Sequence, residues 1–177
     1  MNYFVELFEY ILNFFPRIHV IYPNERGVRI RFGKYVKVLE PGWRIYWPLI
    51  TDIQKLEVVV QIIDLPVQSL LTKDGKLLAI SGAIEYIIVD VEKALLNVQD
   101  FDKSLPTLGM GLISEYVDDC TLSQCRDWDK LKKPILRMLR TRAKDWGIQV
   151  TRLYKTDLVP HKVYRMMSKA SIIFEEE

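Results

Sequence analysis

The chain is poor in the residues that build covalent frameworks, catalytic centres and metal sites. It holds two cysteines, Cys120 and Cys125, and two histidines, His19 and His161. Two thiols are too few for a disulfide scaffold, and their spacing, without a second pair or a nearby His, does not suit zinc. They read as ordinary, semi-buried thiols of a reducing compartment. No nucleophile elbow, P-loop, Rossmann glycine set or metal-binding helix occurs. General acid or base catalysis needs a poised His or paired carboxylates in a cleft, whereas Asp118-Asp119 and Glu175 to Glu177 read as solvated runs. No catalytic residue, metal or cofactor is therefore expected, and the chain is not read as an enzyme. An excess of one charge is missing too: 25 Lys and Arg stand against 23 Asp and Glu, a net charge of +2. With no nucleic-acid-binding signature, nucleic acid is not an expected partner. Sustained heptads, internal repeats and low-complexity linkers are also absent.

What is present suits a folded core. Of 177 residues, 49% are apolar and 27% charged, enough for one good-sized domain or two small ones sharing a face. The stretch Glu25 to Ile50 carries the densest signals. Val28, Ile30 and Phe32 alternate with Arg29 and Arg31, a period of two that puts apolar residues on one sheet face and guanidinium groups on the other. Gly33 can turn where a side chain would clash, Tyr35 to Leu39 resumes a strand, and Pro41-Gly42 suits a tight turn. Trp43 and Trp47 follow, in a run of rings with apolar bodies and polar tips that suit the headgroup layer of a membrane. These rings form a second candidate membrane contact; filling one end of the core and a sheet edge is the competing reading.

The first candidate membrane contact is Asn2 to Phe15. Its polar side chains, Asn2, Glu6, Glu9 and Asn13, fall at steps of four, three and four, one narrow helical stripe. The rest is apolar, with Phe4, Leu7, Phe8, Ile11, Leu12, Phe14 and Phe15 as the membrane-contacting candidates. Such a helix is only about 21 Å long, against a hydrocarbon core of roughly 30 Å, so it is expected to lie in the interface or dip in rather than span. The segment lacks the basic start and small-residue cleavage site of a signal peptide. Its glutamates depart from the Lys/Arg-rich polar face of most interfacial helices. Packing on its own domain or on a partner helix is the alternative. Arg17, Arg26, Arg29, Arg31, Lys34 and Lys37 follow closely, which favours the cytoplasmic side of a membrane.

Downstream, Ile53 to Leu71 reads as β, with Pro66 suited to an edge or bulge, and Asp74-Gly75 signals a hairpin. Leu77 to Val89 is a long strand with Leu78, Ile80, Gly82, Ile84, Tyr86 and Ile88 on one face. These strands are expected to form an antiparallel sheet in a first subdomain. Asp90 caps a short helix from Val91 to Asn97, and Leu105 to Val117 is a weaker helix loosened by Pro106, Gly109 and Gly111. The clearest helix runs from about Asp127 to Trp146, with Pro134 predicting a kink or a late start. Its basic stripe, Lys130, Lys133, Arg137, Arg140 and Lys144, is either a solvated face or a site for an acidic partner or anionic lipid. Gly147 ends this helix as a left-handed cap, and Ile148 to Leu158 returns as a strand, completing a second, α/β subdomain.

Taken in order, Glu25-x-Gly27, Arg31-Phe32-Gly33-Lys34, Pro41-Gly42 and Pro48 resemble the opening of the band-7 or SPFH domain of stomatins, prohibitins, flotillins and the bacterial modulators of membrane-bound AAA proteases. Val67-Gln68, Thr72-x-Asp74-Gly75, Val91-Glu92-Lys93-Ala94, Thr121-Leu122, Trp146-Gly147-Ile148-x-Val150 and Asp157-Leu158-x-Pro160 continue the family order. The resemblance covers about Ile21 to Pro160. Ser114 to Asp119 departs from the family's Arg-rich segment at that place. Relatives continue into a long heptad-bearing helix, so with seventeen residues after Pro160 the chain reads as a shortened form. The resemblance implies an α+β domain behind a membrane anchor, with residues 1–17 as the anchor, 18–160 as the domain and 161–177 as a tail. It also implies a scaffold that self-associates and organises membrane regions or membrane proteins. An adaptor that binds a membrane protease or a full-length SPFH relative is the alternative.

Overall fold

The computed structural model describes residues 15–161. The expected membrane helix, apart from Phe15, and the tail after His161 lie outside the described residues. Five strands come first: β1 (Arg17–Ile21), β2 (Glu25–Arg31), β3 (Tyr35–Leu39), β4 (Gly42–Tyr46) and β5 (Thr51–Glu57). Then follow β6 (Gln61–Leu71), β7 (Leu77–Ile88), α1 (Val91–Leu96), α2 (Phe101–Asp118), α3 (Leu122–Arg126), α4 (Trp128–Lys144) and β8 (Ile148–His161). All pairings are antiparallel: β1 with β4, β3-β2-β5, and β6-β7-β8.

The strand read as continuous from Ile53 to Leu71 is two strands in two sheets. The bond from Val58 N to Asn24 O at 2.9 Å is the last in the β2-β5 register, and from Gln61, which pairs with Tyr86, the chain belongs to the next sheet. Pro66 lies in edge strand β6 beside a register shift between Leu65 and Gln68, where a missing N–H costs nothing. The long strand β7 sits between β6 and β8. The β6-β7 hairpin therefore belongs with the helices, not with the first subdomain as expected.

One face of β7, Leu78, Ile80, Ile84, Tyr86 and Ile88, is buried beneath α2 and α4, whose Leu105, Leu112, Leu131, Ile135 and Leu139 join the same core. Each such aliphatic side chain contributes ~1.5–3 kcal/mol by leaving water. Helix α2 begins at Phe101, earlier than expected, because the Asp100 side chain caps it by accepting from Lys103 N. Gly109 is a packing residue within it: a Cβ there would come within 2.8 Å of Ile84 Cδ1. Helix α4 starts at Trp128, caps on Asp127 and runs through Pro134, so the proline does not delay its start. Cys125 is fully buried and Cys120 half-buried; both are free thiols.

The hairpin tip is tied to the helical layer. Thr72 Oγ1 donates to Asp74 Oδ1 at 2.7 Å, and Asp74 Oδ1 also accepts from Leu122 N at 3.0 Å. These bonds hold the Asp74 carboxyl down, to about 2, because each favours the charged form.

Candidate functional site

The first subdomain has an unusual arrangement of faces. Sheet β3-β2-β5 sends Val28, Ile30, Val36 and Leu56 into the main core. Its opposite side is covered by the β1-β4 ribbon, where Ile21 and Leu39 are buried. Gly27 permits this approach, since a Cβ there would meet Ile21 Cδ1 at 2.8 Å. Glu25, two residues earlier, anchors the start of β2 by accepting from Tyr22 N and from Lys55 Nζ across the sheet. The Glu-x-Gly pair is thus one charged tie and one space for a neighbour.

Side chains on a two-stranded ribbon alternate, and directly paired residues share a face. Ile18 pairs with Ile45 and Val20 with Trp43, while Arg17, His19 and Ile21 pair with Tyr46, Arg44 and Gly42. The buried Ile21 and the half-buried His19 and Tyr46, whose rings pack edge to face at 5.8 Å, turn toward the body. Ile18, Val20, Trp43 and Ile45 turn away from it and remain 62%, 38%, 78% and 72% exposed. The ribbon is apolar on its outer side. One exposed aliphatic needs no explanation, but four apolar side chains clustered on one outward face do.

The apolar surface continues to one end of the subdomain. Phe32 N donates to Ile50 O at 2.9 Å, and both Ile50 N and Thr51 N donate to Trp47 O. The β2-β3 tip is thereby fastened to the loop that leaves β4, beside the start of β1. Phe15, Phe32, Tyr35, Trp47 and Leu49 are all exposed there.

Trp43 and Trp47, 78% and 42% exposed, therefore do not fill the core. Ile18, Val20 and Ile45 were missed by the sequence reading, although RIHVI and GWRIY each alternate apolar with polar. The alternation shows that these strands have an apolar face. It does not reveal that the face points outward.

The basic stripe of α4 is exposed along its length at Lys130, Lys133, Arg137, Arg140 and Lys144, but its members are not equivalent. Lys130 pairs with Asp127 at 2.9 Å. Arg140 grips its own fold: Nε donates to Val150 O at 2.8 Å and Nη2 to Thr151 O at 2.6 Å, at the bulge between β7 and β8. Lys133, Arg137 and Lys144 make no ion pair among the described residues. A broad groove between α2 and α4, lined by Lys103, Thr107, Glu115, Arg142 and Asp145 among others, holds neither His nor Cys. Among the described residues no group of three or more His, Cys, Asp or Glu is placed to hold a metal, and no helix is long and apolar enough to cross a membrane.

Comparison with known proteins agrees with the order of motifs. Residues 19–172 match the sequence profile of the SPFH domain / Band 7 family. An uncharacterised protein of Methanothermobacter thermautotrophicus is 31% identical over 78% of this chain and 44% of its own length. A stomatin homolog of Pyrococcus abyssi is 25% identical over 86% of this chain and 58% of its own. Stomatin-4 of Caenorhabditis elegans is 26% identical over 95% of this chain and 61% of its own. The chain thus spans roughly half of these relatives, and the order of its motifs, its α+β fold and the profile match agree that it belongs to the SPFH domain / Band 7 family.

Proposed function

We propose that the chain is a membrane-associated scaffold subunit, seated on lipid by the outer face of the β1-β4 ribbon and by the Asn2 to Phe15 segment. The observation that carries this reading is the orientation of the ribbon: its apolar side faces away from the body immediately after the point where the expected anchor joins. Each contact is weak. An interfacial segment binds reversibly, and linking several copies multiplies residence on the membrane without new contacts. The chain is read as non-catalytic, acting by assembly and by holding membrane regions or membrane proteins in place.

Flotation of the full chain with phosphatidylcholine vesicles tests the reading. Trp43→Ser with Ile45→Ser removes two side chains worth ~2 kcal/mol each when fully buried. With about half of that realised in the interface, bound protein falls at least tenfold. Both residues are exposed, so the melting temperature stays within a degree or two. Unchanged flotation of the double variant would overturn the role of the ribbon.

A second reading, an adaptor for a membrane protease or a full-length SPFH relative, is favoured by the open cations of α4. Reversing Lys133, Arg137 and Lys144 to Glu while flotation is measured separates the two, because an adaptor loses its protein partner and keeps its lipid.

A further inference from the structure

We infer that the β2-β3 tip, Arg31 to Tyr35, is a second anchor that reads anionic lipid. This deepens the membrane reading and rests on it. The tip combines three features. Phe32 has φ +53°, a backbone state that bulky residues rarely adopt and that persists only when its surroundings enforce it. Here the enforcement is visible, in Phe32 N bonded to Ile50 O and Lys34 N to Arg31 O. The strained backbone does not seat the ring in the core, since Phe32 is 65% exposed. Its neighbour Tyr35 is exposed as well, so two aromatic rings occupy the tip. Alternating with them along the tip, Arg31 and Lys34 are exposed and make no salt bridge among the described residues. Lys34 Nζ stands 6.0 Å from the Tyr35 ring centroid.

The nearest acid on the neighbouring strand, Asp52, pairs with Ile30, which places it on the opposite sheet face from Arg31. It accepts from Gln54 Nε2 at 3.0 Å. Two rings alternating with two cations that make no salt bridge match a surface that is oily below and negatively charged above, the boundary of a bilayer containing anionic lipid. The backbone bonds from Phe32 to Ile50 and onward to Trp47 place this tip at the same end as Phe15, so it reaches the membrane that the ribbon meets.

A basic residue at an anionic surface contributes roughly fivefold in partitioning, and the pair about 30-fold. The test is flotation of the full chain on vesicles of pure phosphatidylcholine and of phosphatidylcholine with about a third phosphatidylserine. At low salt the native chain is expected to bind the anionic vesicles about 30-fold more tightly. Arg31→Ser with Lys34→Ser should abolish that increment and leave binding to neutral vesicles as it was. Phe32→Ser should weaken binding to both. Raising salt from about 0.05 to 0.5 M should erase the preference, as the Debye length shrinks from above 10 Å to a few Å. If the chain binds neutral vesicles and prefers anionic ones equally with and without Arg31 and Lys34, the inference fails while the membrane reading stands. If no vesicle binds, the membrane reading itself fails. Retention of free inorganic phosphate in place of vesicles would also overturn the assignment.

Discussion

Replacing Gly147 by Ala separates two costs that are usually mixed. Gly147, Gly75 and Gly33 have nearly the same backbone angle, φ +70°, +69° and +65°. Each would charge an alanine ~1–2 kcal/mol for the left-handed region. Their surroundings differ completely. Nothing lies within 4 Å of a Cβ at Gly75 or Gly33, whereas at Gly147 it would strike the Asp90 carbonyl oxygen and approach Asp90 Cβ at 2.9 Å. Asp90 cannot yield freely, because its side chain caps α1 by accepting from Lys93 N at 3.1 Å. The Val89 and Asp90 N–H groups also both donate to Gly147 O. Displacing Asp90 puts at risk a cap of ~1 kcal/mol and two hydrogen bonds of ~1 kcal/mol each. Gly147→Ala should therefore cost ~3–5 kcal/mol, against ~1–2 kcal/mol for Gly75→Ala. At a urea slope of ~2 kcal/mol per molar, the midpoint falls by roughly 2 M for the first and by under 1 M for the second. Equilibrium urea unfolding followed by circular dichroism reads both. Equal shifts would refute the claim that Gly147 is held by close contact between the end of α4 and the start of α1.

Two further outcomes follow from named contacts. Arg140→Ala should destabilise by ~1–2 kcal/mol, because it strips the Val150 and Thr151 carbonyls of their donors, whereas Arg137→Ala stays within ~0.5 kcal/mol; thermal melts of the two variants check this. Asp74→Asn should lower the melting temperature by a few degrees at neutral pH. The Asp74 carboxyl titrates at about 2 in the fold against an ordinary 3.8. Its stabilisation is therefore present above pH ~4 and lost as pH falls through about 2. The melting temperatures of native and variant protein should converge over that window, and a gap that persists unchanged to pH 2 would contradict it.

Much of the fold was legible because local chemistry decided it. The alternation of Leu78, Ile80, Ile84, Tyr86 and Ile88, the Asp90 cap, the Gly147 terminus and the Pro66 bulge each need only neighbours in sequence to be read. What escaped depended on distant partners. Val58 to Val60 looks like uninterrupted strand, and only the change of partner, from β2 beside β5 to β7 beside β6, reveals the break between sheets. The expected grouping of β6 and β7 with the first strands failed because β7 pairs with β8, far along the chain. Gly109 reads as a helix breaker until Ile84 is found beside it. Arg140 belongs by spacing to a solvated stripe, yet its guanidinium serves a bulge that sequence does not announce. At the candidate site, Trp43 and Trp47 were identifiable as rings suited to a membrane boundary. Their neighbours Ile18, Val20 and Ile45 were not, since periodicity gives two faces and leaves open which one the body covers.

The central claim is that the outer face of the β1-β4 ribbon meets lipid. It is tested most directly in a variant retaining Trp43 as its sole tryptophan, mixed with vesicles that carry nitroxide labels just below the headgroups. The account predicts that Trp43 emission shifts to the blue and is quenched by these labels as the protein binds. Emission that stays red and unquenched while the protein floats with the vesicles would contradict it.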